Sequence, residues 1–321
     1  MDRNLALEFV RVTEAAAIAA AGWIGRGDKN AADGAAVKEM RSRFNQIDFS
    51  GQVVIGEGEK DEAPMLFTGE KVGKGTGPAM DLAVDPLECT DSVAYGRPNA
   101  ISVIATGASG SLLHAPDTYM DKLAVGKSAA GVIDLDAPVK VNLKRIAKAL
   151  GKNIQEVTVM LLDRERNVRI IADIRKAGGR VRLITDGDVA AAVAACLPDN
   201  PVDVLMGSGG STEAVLAAAA VKILGGEMLC RFRPRSDSDA RNIRKAGVRN
   251  LKQVFASEDL AKGKILTFTA TGVIDGPMLS GVVFKKDEII THSVVMRGQS
   301  GTVRFITTHH NHKYSAGKTK K

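Results

Sequence analysis

Two carboxylate-rich strand exits set the chemical character of this chain. The run Met80-Asp81-Leu82-Ala83-Val84-Asp85-Pro86-Leu87-Glu88-Cys89-Thr90 reads as a short apolar strand ending in Asp85, then a Pro-led turn that carries Glu88 and Thr90. Pro86 fixes φ and supplies no backbone N–H, which suits a turn. Asp85, Glu88 and Thr90 are thereby expected together at a strand's C-terminal end, where open α/β sheets place their ligands. Close carboxylates repel one another unless a proton or a cation lies between them. With a hydroxyl beside them they form a set of hard oxygen donors suited to Mg²⁺ or Mn²⁺. A solvated acidic turn is the alternative.

A second exit repeats the pattern. Gln52-Val53-Val54-Ile55-Gly56-Glu57-Gly58-Glu59-Lys60-Asp61-Glu62 is again an apolar strand running into acids. Extended backbone would put Glu57, Glu59 and Asp61 on one side; a charged loop is the bland alternative. Upstream, Asp33 precedes the helix-like stretch Val37 to Phe44, and taken by itself it is a helix-terminus residue rather than a ligand.

The second half carries candidate anion-binding groups. Arg164 and Arg166 lie two residues apart in Leu162-Asp163-Arg164-Glu165-Arg166-Asn167, at a strand exit. Guanidinium groups bind phosphate oxygens bidentately. Ion pairs with Asp163 and Glu165 are the equal alternative. Asp186-Gly187-Asp188 follows another strand; its acids could accept hydrogen bonds from sugar hydroxyls, or Asp188 could cap a helix. Gly207-Ser208-Gly209-Gly210-Ser211-Thr212-Glu213 reads as a Gly-rich loop opening a helix, with free N–H groups for an anion. It lacks the Lys of a nucleotide-binding Walker loop. Glu213 in the first turn could simply complement the helix dipole.

The elements that must position these groups alternate. Helices are predicted over 5–24, 37–46, 139–150, 168–177 and 213–224, and strands over 52–55, 81–84, 100–106, 156–162, 180–184 and 202–206. Strands over 265–270, 278–283, 288–295 and 301–306 lack intervening helices, so an antiparallel portion is expected there. A weakly marked boundary near 150–160 divides the chain into 1–158 and 159–321.

Composition narrows the class. The 321 residues are 45% hydrophobic and 25% charged, as in a globular protein. Aromatic residues make up only 4%, so Ala, Val, Ile and Leu must fill the core. No apolar run spans a bilayer, and the N-terminus lacks a secretory pattern. Cys89, Cys196 and Cys230 are too few and too widely spaced for a disulfide framework, which fits a reducing cytoplasm. The formal charge of +7 is not gathered on one helix, so a small anionic substrate is preferred to nucleic acid. The tail with His309, His310 and His312 reads as solvated polar chain.

The blocks Val54–Glu59, Asp61–Leu66, Ala83–Pro86 with Glu88 and Thr90, Asp186–Asp188, Gly207–Glu213, Thr271–Gly276 and Thr291–Arg297 together resemble class II fructose-1,6-bisphosphatase. The Asp-Pro element also resembles the wider lithium-sensitive, metal-dependent phosphatase superfamily. The resemblance implies an α/β, layered αβαβα sugar-phosphatase fold with mixed sheets, the N-terminal region binding metal and the C-terminal region binding sugar phosphate. It implies Asp33 and Glu57 as ligands of one metal ion, and Asp85, Glu88 and Glu213 as ligands of another. Glu88, Cys89, Thr90, Tyr119, Arg164, Glu165, Arg166, Asp186, Gly187, Asp188 and Gly210 match substrate-contacting positions. Thr90 matches the hydroxyl that orients the attacking water, and Asp33, Glu59 and Asp61 are implied as catalytic with it.

Two departures from the family pattern stand out. Cys89 replaces a Gly between the acid and Thr90, and Arg164-Glu165-Arg166-Asn167 replaces Arg-Pro-Arg-His. If positive φ is kept, Cys89 carries a steric penalty. The expected activity is Mg²⁺- or Mn²⁺-dependent removal of the 1-phosphate of fructose 1,6-bisphosphate, in gluconeogenesis or the Calvin cycle. Sedoheptulose 1,7-bisphosphate hydrolysis, or a non-catalytic sugar-phosphate-binding regulator, is the alternative. A cytoplasmic homo-oligomer, dimer or tetramer, is expected, without nucleic acid or membrane partners.

Overall fold

The computed structural model describes residues 5–58 and 65–311. Glu59, Asp61, Glu62 and His312 therefore lie outside the described residues. The first half contains α1 (Leu5–Ala21), α2 (Lys29–Phe44), β1 (Ser50–Ile55), β2 (Lys71–Val72), β3 (Ala79–Glu88), α3 (Thr90–Tyr95), β4 (Ile101–Ala108), β5 (Tyr119–Val125) and α4 (Val139–Leu150). Next come β6 (Thr158–Leu162), α5 (Val168–Ala177), β7 (Arg180–Ile184), α6 (Asp188–Ala194), β8 (Val204–Gly210), α7 (Ser211–Ile223), β9 (Glu227–Arg233) and α8 (Asp237–Lys245). The chain closes with β10 (Phe255–Ala256), α9 (Ser257–Leu260), β11 (Leu266–Gly272), β12 (Val283–Phe284), β13 (Glu288–Arg297) and β14 (Thr302–Asn311).

Two mixed sheets form. One is 8-stranded in the order β12-β13-β11-β4-β3-β1-β2, with β14 on β13; the other is 6-stranded, β10-β9-β5-β8-β6-β7. β1 and β3 are parallel, as are β6 with β7 and β6 with β8; the other pairs are antiparallel. Sheet membership changes between β4 and β5, and again between β10 and β11, where the chain returns to the first sheet. Residue 158, the expected boundary, is not such a change.

Helices separate and cover the sheets. α1 and α2 pack on the outer face of the first sheet around Phe9, Phe44 and Phe49, whose rings meet at 5.5–6.1 Å. α4 and α5 pack on the outer face of the second around Leu143, Ile146, Ile171 and Ile174. Between the sheets lie α6 and α7, in one core with residues of both. The result is the expected αβαβα layering. Ala190, Ala191, Ala192 and Ala194 of α6 and Ala214 and Ala217–Ala220 of α7 are fully buried. A helix apolar on every side must be covered on every side, and small side chains let two sheets approach it closely. The low aromatic content follows from this Ala-filled layer.

Three sequence expectations are corrected. β3 does not end at Asp85 but runs through Pro86 to Glu88, with a register shift against β4 between Asp85 and Glu88. Pro lacks a ladder N–H, and a bulge is where that loss is tolerated. Residues 207–210 are the end of β8 and pair with 119–122 of β5, so they are not an open phosphate loop. The apolar run 278–283 is an irregular loop up to Val283, buried at Met278, Leu279 and Gly281 and folded by Gly276 N–H donating to Leu279 O and Gly281 N–H donating to Asp275 Oδ1.

Ala218→Leu should place a bulky side chain in the middle layer and destabilise the protein by about 1–3 kcal/mol. Thermal unfolding checks this; an unchanged midpoint would show that the two sheets can spread without loss.

Candidate active site

A cavity of about 1210 Å³ opens where strands of both sheets end. The first sheet delivers Glu57 beyond β1 and Asp85, Glu88, Cys89 and Thr90 at the end of β3; α2 adds Asp33. The second delivers Tyr119 at the start of β5, Arg164 and Arg166 beyond β6, Asp186, Gly187 and Asp188 beyond β7, and Gly210 and Glu213 where β8 meets α7. Of the expected site residues that are described, Glu165 does not line the cavity; its side chain is exposed. Lys29, Asn30, His114, Asn242 and Lys245 line it without having been marked by the sequence.

Asp33 is not at a helix terminus. Asp28 caps α2, accepting from Ala31 N–H at 2.9 Å, so the helix starts at Lys29 and carries Asp33 one turn in, over the cavity. There its carboxyl lies beside that of Glu57, and two carboxylates so placed repel one another. Burial, then the charge of Asp33, pushes Glu57 up to about 8, and burial raises Asp33.

Asp85 and Glu88 are also raised well above the ordinary value. For both the main cause is removal from water; Glu57 and Glu88 add repulsion at Asp85, and Asp188 adds it at Glu88. Asp85 Oδ1 accepts from Leu87 N–H at 3.1 Å, across the bulge. Glu88 Oε1 accepts from Val189 N–H at 3.0 Å, while Glu88 Oε2 is buried without a hydrogen-bond partner among the described residues. Glu213 folds back over the strand end; a Cβ on Gly210 would lie 1.9 Å from its Oε2, so only glycine permits that approach.

These carboxylates fit a divalent cation. Among the described residues no three of them converge tightly enough to enclose an ion. Burial costs a carboxylate heavily unless it is protonated or paired. The orphaned oxygen of Glu88 and the hard oxygen donors around it match the preferences of Mg²⁺ and Mn²⁺.

The basic side of the cavity is built differently. Arg166 Nε donates to Ser208 O at 2.9 Å, and its guanidinium lies 4.1 Å from the Tyr119 ring centroid. Arg235, unmarked by the sequence, also lies against Tyr119, at 5.2 Å, and is held by Asp239 through a 2.8 Å bond from Nε to Oδ2. Arg164 Nη2 is 3.9 Å from Asp186 Oδ1. Among the described residues neither Arg164 nor Arg166 pairs with Asp163 or Glu165. Asn99 joins the two halves: its Nδ2 donates to Asp186 O at 2.8 Å and to Gly187 O at 3.0 Å.

Cys89 sits in the left-handed region that favours glycine, with φ +78° and ψ +52° just before α3. It is 5% exposed, and burial with the acids around it pushes its thiol well above the ordinary value. A thiol held protonated is a poor nucleophile.

Comparison with known proteins gives one consistent result. A family model described as bacterial fructose-1,6-bisphosphatase, glpX-encoded, matches residues 3–310. The class 2 fructose-1,6-bisphosphatase of Haemophilus influenzae is 48% identical over 322 aligned residues, covering 97% of each chain. Fructose-1,6-bisphosphatase 1 class 2 of Escherichia coli K12 is 46% identical over 322 aligned residues, covering 97% of this chain and 96% of that one.

Left-handed backbone at Cys89 makes a specific demand. Cys89→Gly should be more stable than Cys89→Val by on the order of 1–3 kcal/mol, because a β-branched residue is strained at positive φ. Equal stability of the two variants in denaturant unfolding would contradict this.

Proposed function

The chain belongs to the glpX-type class II fructose-1,6-bisphosphatase family, and from that premise we propose how its cavity serves hydrolysis. The protein is a phosphatase of fructose 1,6-bisphosphate, in a family of metal-dependent phosphatases. We assign Asp33 and Glu57 to one cation, and Asp85, Glu88 and Glu213 to another, with Mg²⁺ or Mn²⁺ as the metal. The observation that carries this assignment is Glu88 Oε2, buried and unpartnered among the described residues beside four other carboxylates. Bound there, divalent cations would neutralise the scissile phosphate and lower the pKa of the attacking water.

The chain's own groups do the rest by placement. Thr90, the first residue of α3, lines the cavity beside Glu88, and its hydroxyl orients the attacking water. Arg164 and Arg166 hold the phosphate that stays on the sugar, with Arg166 braced by Tyr119 and Ser208 O. Asp186 and Asp188 accept hydrogen bonds from the sugar hydroxyls. Remote binding fixes the 1-phosphate among the carboxylates, which is the positional contribution that phosphoryl transfer needs most. The cavity is then shared by two functional halves that follow the two sheets rather than a division at residue 158. No helix among the described residues is long and apolar enough to cross a membrane, and we place this activity in the cytoplasm, in gluconeogenesis.

Protein stripped with a chelator should release no phosphate from fructose 1,6-bisphosphate until Mn²⁺ or Mg²⁺ is added. Full turnover in metal-free buffer would rule out the assignment.

Arg166→Ala should raise KM for the bisphosphate about tenfold or more, since a charge-assisted hydrogen bond contributes about 1.5–3 kcal/mol. A simple monophosphate ester, lacking the remote group, should be hydrolysed with unchanged KM. Equal loss on both substrates would move Arg166 to the scissile phosphate.

A further inference from the structure

Lys122 is a lysine in the wrong place for a surface charge. Along β5, Met120, Lys122 and Ala124 point into the Ala-rich middle layer, and the Lys122 side chain is 1% exposed. Its ammonium donates to both oxygens of Asp188, at 2.9 Å and 2.7 Å. Asp188 is itself 5% exposed and is the first residue of α6. The backbone between these groups is cleared for the pair: a Cβ on Gly209 would lie 1.8 Å from Asp188 Oδ2 and 3.2 Å from Lys122 Nζ. The residue after Asp188 is Val189, whose N–H donates to Glu88 Oε1 at 3.0 Å. A continuous chain of contacts thus runs from the second sheet, through the start of α6, to the carboxylate at the end of β3.

We propose that Lys122 is a positioning residue: by clamping Asp188 from below it fixes the Val189 N–H on one oxygen of Glu88 and so aims the other oxygen into the cavity for a cation. This rests on the assignment of Glu88 as a cation ligand and adds what holds it. Stability alone does not account for the pair, because a buried ion pair is commonly no better for stability than apolar groups of the same volume. Groups behind a metal ligand orient it, and their loss typically weakens metal binding 10–100-fold.

Charge and position give opposite signs here, which makes the proposal testable. Lys122 is a cation near the cation site. If it acted only through its charge, Lys122→Met would tighten metal binding. If it positions Glu88, the same substitution weakens it.

The measurement is Mn²⁺ binding to the full-length protein, read from the electron paramagnetic resonance signal of free Mn²⁺. Lys122→Met should weaken Mn²⁺ binding about tenfold or more. Gly209→Ala leaves both charges in place but displaces the Asp188 carboxylate, and should weaken Mn²⁺ binding in the same direction. It also decides the matter where Lys122→Met fails to fold. Glu88→Gln should weaken binding at least as much as either. Wild-type or tighter binding in folded Lys122→Met, or wild-type binding in Gly209→Ala, would overturn the clamp while loss in Glu88→Gln left the cation site standing. Wild-type binding in Glu88→Gln would remove the cation assignment and the clamp with it.

Discussion

Carboxylates taken out of water beside one another cannot all remain charged unless something positive joins them. Asp33, Glu57, Asp85, Glu88 and Glu213 are gathered in one cavity, and the groups with resolved shifts among them are all raised. In the Asp33–Glu57 pair burial raises both carboxyls, and at Glu57 the charge of Asp33 adds to it. Glu88 meets half of the constraint with the Val189 N–H and leaves one oxygen unpartnered among the described residues. A divalent cation bound at the proposed site would relieve this repulsion and would draw in a phosphate ester as well.

Holding such groups together requires elements that do not yield. The acids leave the first sheet from β1 and β3, which are parallel neighbours, so their ends open on the same side. The residues proposed to hold the sugar phosphate leave the second sheet mainly from β6, β7 and β8, which are also parallel. The Ala-rich α6 and α7 keep the two sheets at a fixed separation, and each begins at the cavity, one with Asp188 and the other beside Gly210. Asn99 ties the backbone of the two halves across the opening. Other blocks that resembled the family proved to be support. Thr271 and Ser293 join Thr13 of α1 in a buried chain of hydroxyls, and Asp275 O accepts from Asn99 N–H at 2.9 Å.

The sequence made the acidic exits legible because two separate apolar runs each stop at carboxylates, and Glu57 and Asp85 do meet in the cavity. The α/β alternation was legible in the succession of helix-spaced and strand-like runs, whereas the αβαβα layering came only with the family resemblance. What stayed hidden depended on contacts distant in sequence. Pro86 resembled a turn because the bulge that accommodates it is set by β4. The glycines of 207–210 resembled a phosphate loop; in the fold their lack of side chains clears space for Asp188 and Glu213 while the backbone stays paired. Lys122 left one signal, a lysine at an inward position of an alternating strand, but its partner lies 66 residues away. Asp33 was misjudged because the true helix cap, Asp28, is five residues upstream and separated from the apolar periodicity by polar residues.

The most direct test of the central claim is anomalous diffraction from crystals of the protein grown with Mn²⁺. Peaks are expected within coordination distance, about 2.0–2.6 Å, of the Glu88 oxygen that is unpartnered here, with Asp85 or Glu213 on the same ion, and between Asp33 and Glu57. An active protein whose Mn²⁺ peaks lay away from all of these carboxylates would contradict the account.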